Sequence, residues 1–184
     1  MGASLPKKYV LVVGLEGAGK TTVIYAGRLR HDWDNEDIKE TMGYNYEEHA
    51  VHDFNFCLVD TPGDPHLADM ITSLYSNIDF SAIIFVLPDE EDAENVIKAR
   101  RMLHFYANEI PLRRKPIAVI VNRFHSGGTY QYEEYMRQVL RLDKQGLEGR
   151  PTRLFCFSVR HGATEVRKVY EWLSEQFKHG EASG

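Results

Sequence analysis

Gly14-Leu15-Glu16-Gly17-Ala18-Gly19-Lys20-Thr21 is the stretch that decides how this chain is read. It follows the spacing G-x-x-x-x-G-K-[ST] of a phosphate-binding loop. Its flanks agree. Tyr9-Val10-Leu11-Val12-Val13 is an apolar run suited to a buried strand, and Thr22-Val23-Ile24-Tyr25-Ala26 opens a helix. Glycines let the backbone curl so that several N–H groups face one anion. The helix that follows adds the positive end of its dipole. In that frame Lys20 reaches the β- and γ-phosphates, and the Thr21 hydroxyl ligates Mg²⁺.

Outward from this loop, strands and helices alternate, which predicts a parallel sheet covered on both faces. The pattern gives strands near Lys8–Val13, Tyr44–His52, Phe54–Val59, Ala82–Leu87, Ile117–Val121 and Leu154–Ser158. Glu47, Glu48 and His49 mark the second of these as an edge strand. Helices are expected over Lys20–Arg30, from Asp89 to Ile110, over Tyr132–Leu142, and around Val166, Val169, Tyr170, Leu173 and Phe177. Pro111 is read as the end of the second helix. His31–Glu40, Arg113-Arg114-Lys115 and Gly146–Pro151 read as solvated loops or turns.

The 184 residues suit a single domain with a full core, residues 1–7 and 179–184 being flexible ends. A net charge of −5 argues against nucleic acid as a partner. Cys57 and Cys156 read as reduced core thiols, which fits a cytoplasmic protein. No run has the length of a membrane span. Met1-Gly2-Ala3-Ser4-Leu5-Pro6 half-matches a myristoylation signal, with Pro6 where Ser or Thr is required.

Later segments say which kind of phosphate-loop protein this is. Asp60-Thr61-Pro62-Gly63 directly follows the strand Phe54–Val59. An aspartate at a strand end can hold Mg²⁺ through its water shell, and Gly63 can offer its N–H to a γ-phosphate. Thr41, between the first helix and the strand pair, can present a hydroxyl to the metal.

These residues resemble the small GTPases of the Ras superfamily, and within them the ADP-ribosylation-factor-like (Arf-like) group. The loop from Gly14 to Thr22, with acidic Glu16, is similar to that group's phosphate loop. Thr41-Met42-Gly43-Tyr44 resembles its first switch, and the short interval to Asp60 resembles its interswitch hairpin. Trp172-Leu173 in the last helix also fits. The resemblance runs from about Lys7 to Lys178. It implies an α/β P-loop NTPase fold with a mostly parallel six-stranded sheet and helices on both faces. It further implies a GTP/GDP switch dependent on Mg²⁺. Nucleotide contacts are then assigned to Glu16, Gly17, Ala18, Gly19, Lys20, Thr21, Thr22, Thr41, Gly63, Asn122, Arg123, His125 and Ser158. Metal contacts fall to Thr21, Thr41 and Asp60, and catalytic roles to Lys20, Gly63 and Asp64. Effector, exchange-factor and activating proteins are expected at Thr41–Tyr44 and Gly63–Tyr75.

The chain departs from the family pattern in several places. Asp64 stands where a water-orienting glutamine is expected, and a carboxylate has no donor and repels a γ-phosphate. Slow or partner-assisted hydrolysis follows. Asn122-Arg123-Phe124-His125 replaces the guanine-reading N-K-x-D. Arg123 can still stack on a purine, but a neutral imidazole at His125 offers one acceptor, not a bidentate pair. Guanine discrimination is therefore expected to weaken. Ser158 fits the third base-contacting stretch, and its neighbours do not. Val59 replaces an aromatic residue, and only Met1–Lys8 precedes the first strand, so contact with a membrane periphery stays open. The competing expectation is a pseudo-GTPase, an interaction module with little turnover. Weaker alternatives are a subunit resembling the signal-recognition-particle receptor β-subunit and a small-molecule kinase.

Overall fold

Apolar runs rich in Val, Ile, Leu and Phe, together with one polar strand, build a single sheet. The computed structural model describes residues 4–27, 45–63, 68–89, 93–123, 130–144, 147–159 and 163–182. In chain order these contain β1 (Lys7–Gly14), α1 (Lys20–Ala26), β2 (Asn45–Val51), β3 (Phe54–Asp60), α2 (Ala68–Asn77) and β4 (Phe80–Pro88). Then follow α3 (Ala93–Asn108), β5 (Ile117–Asn122), α4 (Tyr130–Val139), β6 (Thr152–Phe157) and α5 (Ala163–Ala182). The sheet order is β2-β3-β1-β4-β5-β6. Only β2 runs antiparallel, paired with β3; every other pairing is parallel.

Side chains alternate across a strand, so each central strand feeds two layers. Val10, Val12, Phe56, Leu58, Ile84 and Val86 join Val23, Ile24, Val169, Tyr170 and Leu173 on the α1/α5 face. Leu11, Val13, Ile83, Phe85 and Leu87 join Ile71, Leu74, Leu103, Tyr106 and Met136 on the α2/α3/α4 face. Phe56 meets Tyr170 and Phe177 edge-on at 5.6 and 5.4 Å between ring centroids. β4, with both faces covered, is buried at every position except Ser81. β2 is the edge strand its charges predict, and His49 is its one fully inward residue. Cys57 and Cys156 are both free thiols, on β3 and β6 at different places in the sheet. Burial pushes the Cys156 thiol up to about 12.

The six-stranded, mostly parallel α/β sheet is therefore the architecture expected, and its strand boundaries lie close to those read from the sequence. Several local expectations differ. Ala68–Asn77 is a helix, within a segment for which the sequence indicates only partner contacts. Ile71, Leu74, Tyr75 and Ile78 carry the right periodicity, but Thr72, Ser73 and Ser76 dilute the helical propensity between them. Asp89 lies just beyond β4, its N–H donating to the Asn122 carbonyl at 3.0 Å, and residues 90–92, expected in the helix that follows, lie outside the described residues. α3 ends at Asn108, and Pro111 sits in the 3₁₀ turn Ile110–Leu112 that follows. α5 continues past His179 to Ala182, where Lys8 pairs with Glu181 at 2.7 Å. Residues 28–30, expected to finish the first helix, lie outside the described residues.

The largest omission is Arg150. Among Gly146, Gly149 and Pro151 it read as a turn residue, yet it is buried. Its guanidinium donates to the carbonyls of Ala107 at 3.0 Å, Leu112 at 2.8 Å and Lys115 at 2.9 Å. The Arg113–Lys115 loop is thus held from inside. Desolvation lowers the Arg150 pKa to about 10. Lys115 also bridges to Asp79 at 3.0 Å.

Candidate nucleotide-binding site

The parallel strands β1, β4 and β5 end side by side, and the loop Leu15–Gly19 caps β1. Gly17 and Gly19 carry φ of 67° and 93°, the left-handed values that let the chain double back before α1. Ala18 donates its N–H to the Leu15 carbonyl at 3.3 Å and closes the loop.

Lys20 opens α1 and is buried. Its ammonium donates to the carbonyls of Gly14 at 3.2 Å and Leu15 at 2.9 Å, so it arches back over the loop. Burial lowers its pKa, and the nearby carboxylates of Asp60 and Glu16 oppose that shift. Thr21 points across to the end of β3, where its hydroxyl donates to Asp60 Oδ2 at 2.5 Å. Thr61 then ties the chain beyond β3 back to β1, its hydroxyl donating to the Val12 carbonyl at 2.8 Å. Two residues further on, Gly63 packs against the loop itself. A Cβ there would lie 2.3 Å from the Glu16 nitrogen. No residue with a side chain fits that approach.

Oxygen atoms from Thr21 and Asp60 thus converge beside a lysine ammonium. Hydroxyl plus carboxylate is the hard-oxygen set that Mg²⁺ takes, its remaining positions going to water and phosphate. Among the described residues no group of three or more His, Cys, Asp or Glu gathers in one place. Magnesium held largely by phosphate does not require one.

The base end is built differently. Asn122 ends β5, and its amide donates to the Ala18 carbonyl at 3.0 Å while its oxygen accepts the Val159 N–H at 3.1 Å. It therefore clips the phosphate loop to the end of β6, beside half-buried Ser158. Arg123 turns the other way. The sequence offered it as a stacking partner for a purine; the ring under its guanidinium is Tyr132 of α4, with Cζ 4.1 Å from the centroid. Its Nε donates to Asp89 Oδ2 at 2.9 Å. Asp89 and Tyr132 carried no signal in the sequence beyond an acidic segment and an apolar stripe.

Of the residues read as nucleotide or metal contacts, the structure brings together Glu16, Gly17, Ala18, Gly19, Lys20, Thr21, Thr22, Asp60 and Gly63 around one loop. Asn122 and Ser158 adjoin it, and Arg123 is directed elsewhere. Thr41, Asp64 and His125 lie outside the described residues.

A glycine-lined loop after the first strand, a lysine and threonine behind it, and an aspartate at a neighbouring strand end define a P-loop nucleotide-binding protein. A profile of the ADP-ribosylation factor family matches residues 3–177. ADP-ribosylation factor-like protein 1 of Caenorhabditis elegans is 30% identical over 169 residues, spanning 92% of this chain and 88% of that protein. ADP-ribosylation factor-like protein 5 of the same organism is 29% identical over 134 residues, 72% of each chain. Among solved structures, the Arl6 BBS3 small GTPase from Trypanosoma brucei with bound GppNp superposes with a TM-score of 0.74 at 23% identity. That match covers 94% of this chain and 98% of the other. The chain belongs to the ADP-ribosylation factor family, whose members are GTP-binding switches and, as a class, GTP hydrolases.

Proposed function

We propose that this chain is an Arf-like switch that binds Mg²⁺·GTP and hydrolyses it slowly, or quickly only with a partner. The observation that carries the reading is the meeting of Thr21 and Asp60 at 2.5 Å beside the buried Lys20. Thr21 and Asp60 are the residues that would hold the metal, which when bound neutralises charge on the β- and γ-phosphate oxygens. Lys20 has its ammonium desolvated within the loop, where a phosphate oxygen is a stronger acceptor than the carbonyls it now uses. Gly63, in contact with Glu16, can bring a backbone N–H to the same end of the site. Among the described residues no helix is long and apolar enough to cross a membrane. The reading places the protein in the cytoplasm or peripherally on membranes. Effectors, exchange factors and activating proteins meet it through 41–44 and 63–75.

The slow rate is expected from Asp64, which follows Gly63 in the sequence where the family pattern carries a water-orienting glutamine; a carboxylate there would oppose the negative charge of the transition state. Single-turnover hydrolysis of γ-labelled GTP with Mg²⁺ tests it. The wild type should turn over slowly and Asp64→Gln about tenfold faster or more, the scale of one well-placed catalytic donor. Fast turnover by the wild type, or no gain in the variant, removes Asp64 as the cause. The pseudo-GTPase reading is favoured by the internal engagement of Asn122 and Arg123. It requires that Asp64→Gln also leave bound GTP intact.

A further inference from the structure

The loop Arg113-Arg114-Lys115 is basic in a chain whose net charge is −5. Its sequence reads as solvated, yet in the structure it forms one wall of a cavity of about 650 Å³. Arg113, Arg114 and Arg150 line that cavity together with Asn108, Glu148 and Gly149. Such a volume falls within the range of small-molecule sites, roughly 300–1,000 Å³. The cavity lies where β5 and β6 begin, and the phosphate loop lies where they end.

Carbonyls and backbone conformation, not carboxylates, place these arginines. Arg150 donates to the carbonyls of Ala107, Leu112 and Lys115 through four of its five N–H groups, leaving one on Nη1. Arg113 gives its Nε to the Asn108 carbonyl at 3.2 Å, which leaves both terminal nitrogens of its fork. Arg114 has φ of 63°, in the left-handed region that a residue with a side chain rarely occupies. Outliers of this kind persist where the surroundings over-determine them, and they gather at ligand sites. Lys115 turns away to Asp79. Among the described residues none of the three guanidinium groups is in an ion pair, and Glu148 bridges to none of them. Burial alone lowers the Arg150 pKa, with no carboxylate opposing the shift. A partly buried cation beside two forks with unspent donors is completed by an oxyanion. At Gly149 a Cβ would meet nothing within 4 Å, so the mouth is clear.

We propose that this cavity is a second anion site, which takes a small ligand bearing two or more phosphate groups. Arg113 and Arg114 each present a planar fork that matches a phosphate in bidentate fashion, and Arg150 forms the fixed floor. The volume holds far more than one phosphate group, and Glu148 offers an acceptor to a ligand hydroxyl. A phosphorylated polyol has this chemistry, free in solution or as a lipid headgroup.

Calorimetry on the full chain at about 0.15 M salt, with inositol trisphosphate and separately with inorganic phosphate, tests it. The wild type should bind the trisphosphate about tenfold or more tighter than phosphate. Arg114→Ala should weaken that binding about tenfold, and Arg113→Ala combined with Arg114→Ala about a hundredfold. Arg113→Lys keeps the charge and loses the fork, so a loss of about threefold or more is expected. Lys20→Ala, at the nucleotide cradle, should leave the affinity unchanged. Arg150 is left in place because it holds the turn. The trisphosphate should raise the melting temperature of the wild type and not of the double variant, which a merely structural role of the arginines would not produce. Phosphatidylcholine vesicles with and without phosphatidylinositol bisphosphate separate the two sources. Retention only with the bisphosphate, lost in the double variant, supports a lipid headgroup; soluble binding without retention supports the free ligand. No binding of the trisphosphate at about 1 mM, an unchanged affinity in the double variant, or a loss confined to Lys20→Ala would each overturn the proposal. If the double variant fails to fold, Arg114→Ala and Arg113→Lys decide by the same ratios.

Discussion

The phosphate end and the base end of the site share one sheet but differ in what their side chains are bonded to. At the phosphate end, Lys20 and Thr21 spend their donors on carbonyls and a carboxylate that polyphosphate and metal can replace. At the base end, Asn122 clips Ala18 to Val159, and Arg123 is bound to Asp89 and Tyr132. Those bonds tie the phosphate loop, the ends of β4, β5 and β6, and α4 to one another, so losing them would loosen the fold. One end is poised for exchange and the other is masonry. The difference teaches that the two ends of one site can place unequal structural demands on their side chains.

The largest expected effect lies at the phosphate end. Lys20→Ala should cut Mg²⁺·GTP affinity by on the order of a thousandfold, read by titration calorimetry, because a buried charge partner is removed. A loss under about tenfold would move the grip elsewhere. At the opposite pole of the sheet, Arg150→Ala should cost about 3 kcal/mol in urea unfolding and leave nucleotide affinity unchanged. It orphans the buried carbonyls that Arg150 serves. A change in affinity there would show the two poles to be coupled.

Asn122→Ala sharpens the comparison. It should cost about 2 kcal/mol of stability, since the Ala18 carbonyl and Val159 N–H lose their partner. GTP and ATP affinities should fall together, and a selective loss of GTP would make Asn122 a base reader.

These contrasts also explain what the sequence could reveal. The phosphate loop is contiguous, and its glycines, lysine and threonine carry their roles in their order. Asp60 and Gly63 were legible because they follow a strand whose alternation was plain. Arg150 was not, because its three carbonyl partners sit far away in the chain, at Ala107, Leu112 and Lys115. The Arg123 cluster was hidden for the same reason. Its members come from the ends of three different elements, and only folding places them together. α2 was missed because serine and threonine blurred a period that Ile71, Leu74 and Tyr75 did carry.

The smallest effect concerns protons. Burial holds the Lys20 pKa below its ordinary value of 10.5. As pH rises through the lowered pKa towards 10.5, the empty site sheds its proton first, and a phosphate tail draws it back. Binding in that window should take up a fraction of a proton, measured by calorimetry in buffers of different ionisation enthalpy. Proton release instead would reverse the sign and contradict the desolvated ammonium.

The central claim is that Lys20, Thr21 and Asp60 form a metal-dependent polyphosphate cradle. Equilibrium dialysis of labelled GTP against the purified chain, with Mg²⁺ and then with EDTA, tests it most directly. The account predicts one bound nucleotide per chain with the metal and an affinity lower by about tenfold or more after chelation. A chain that stays empty with Mg²⁺ present, or that binds equally well after chelation, would contradict it.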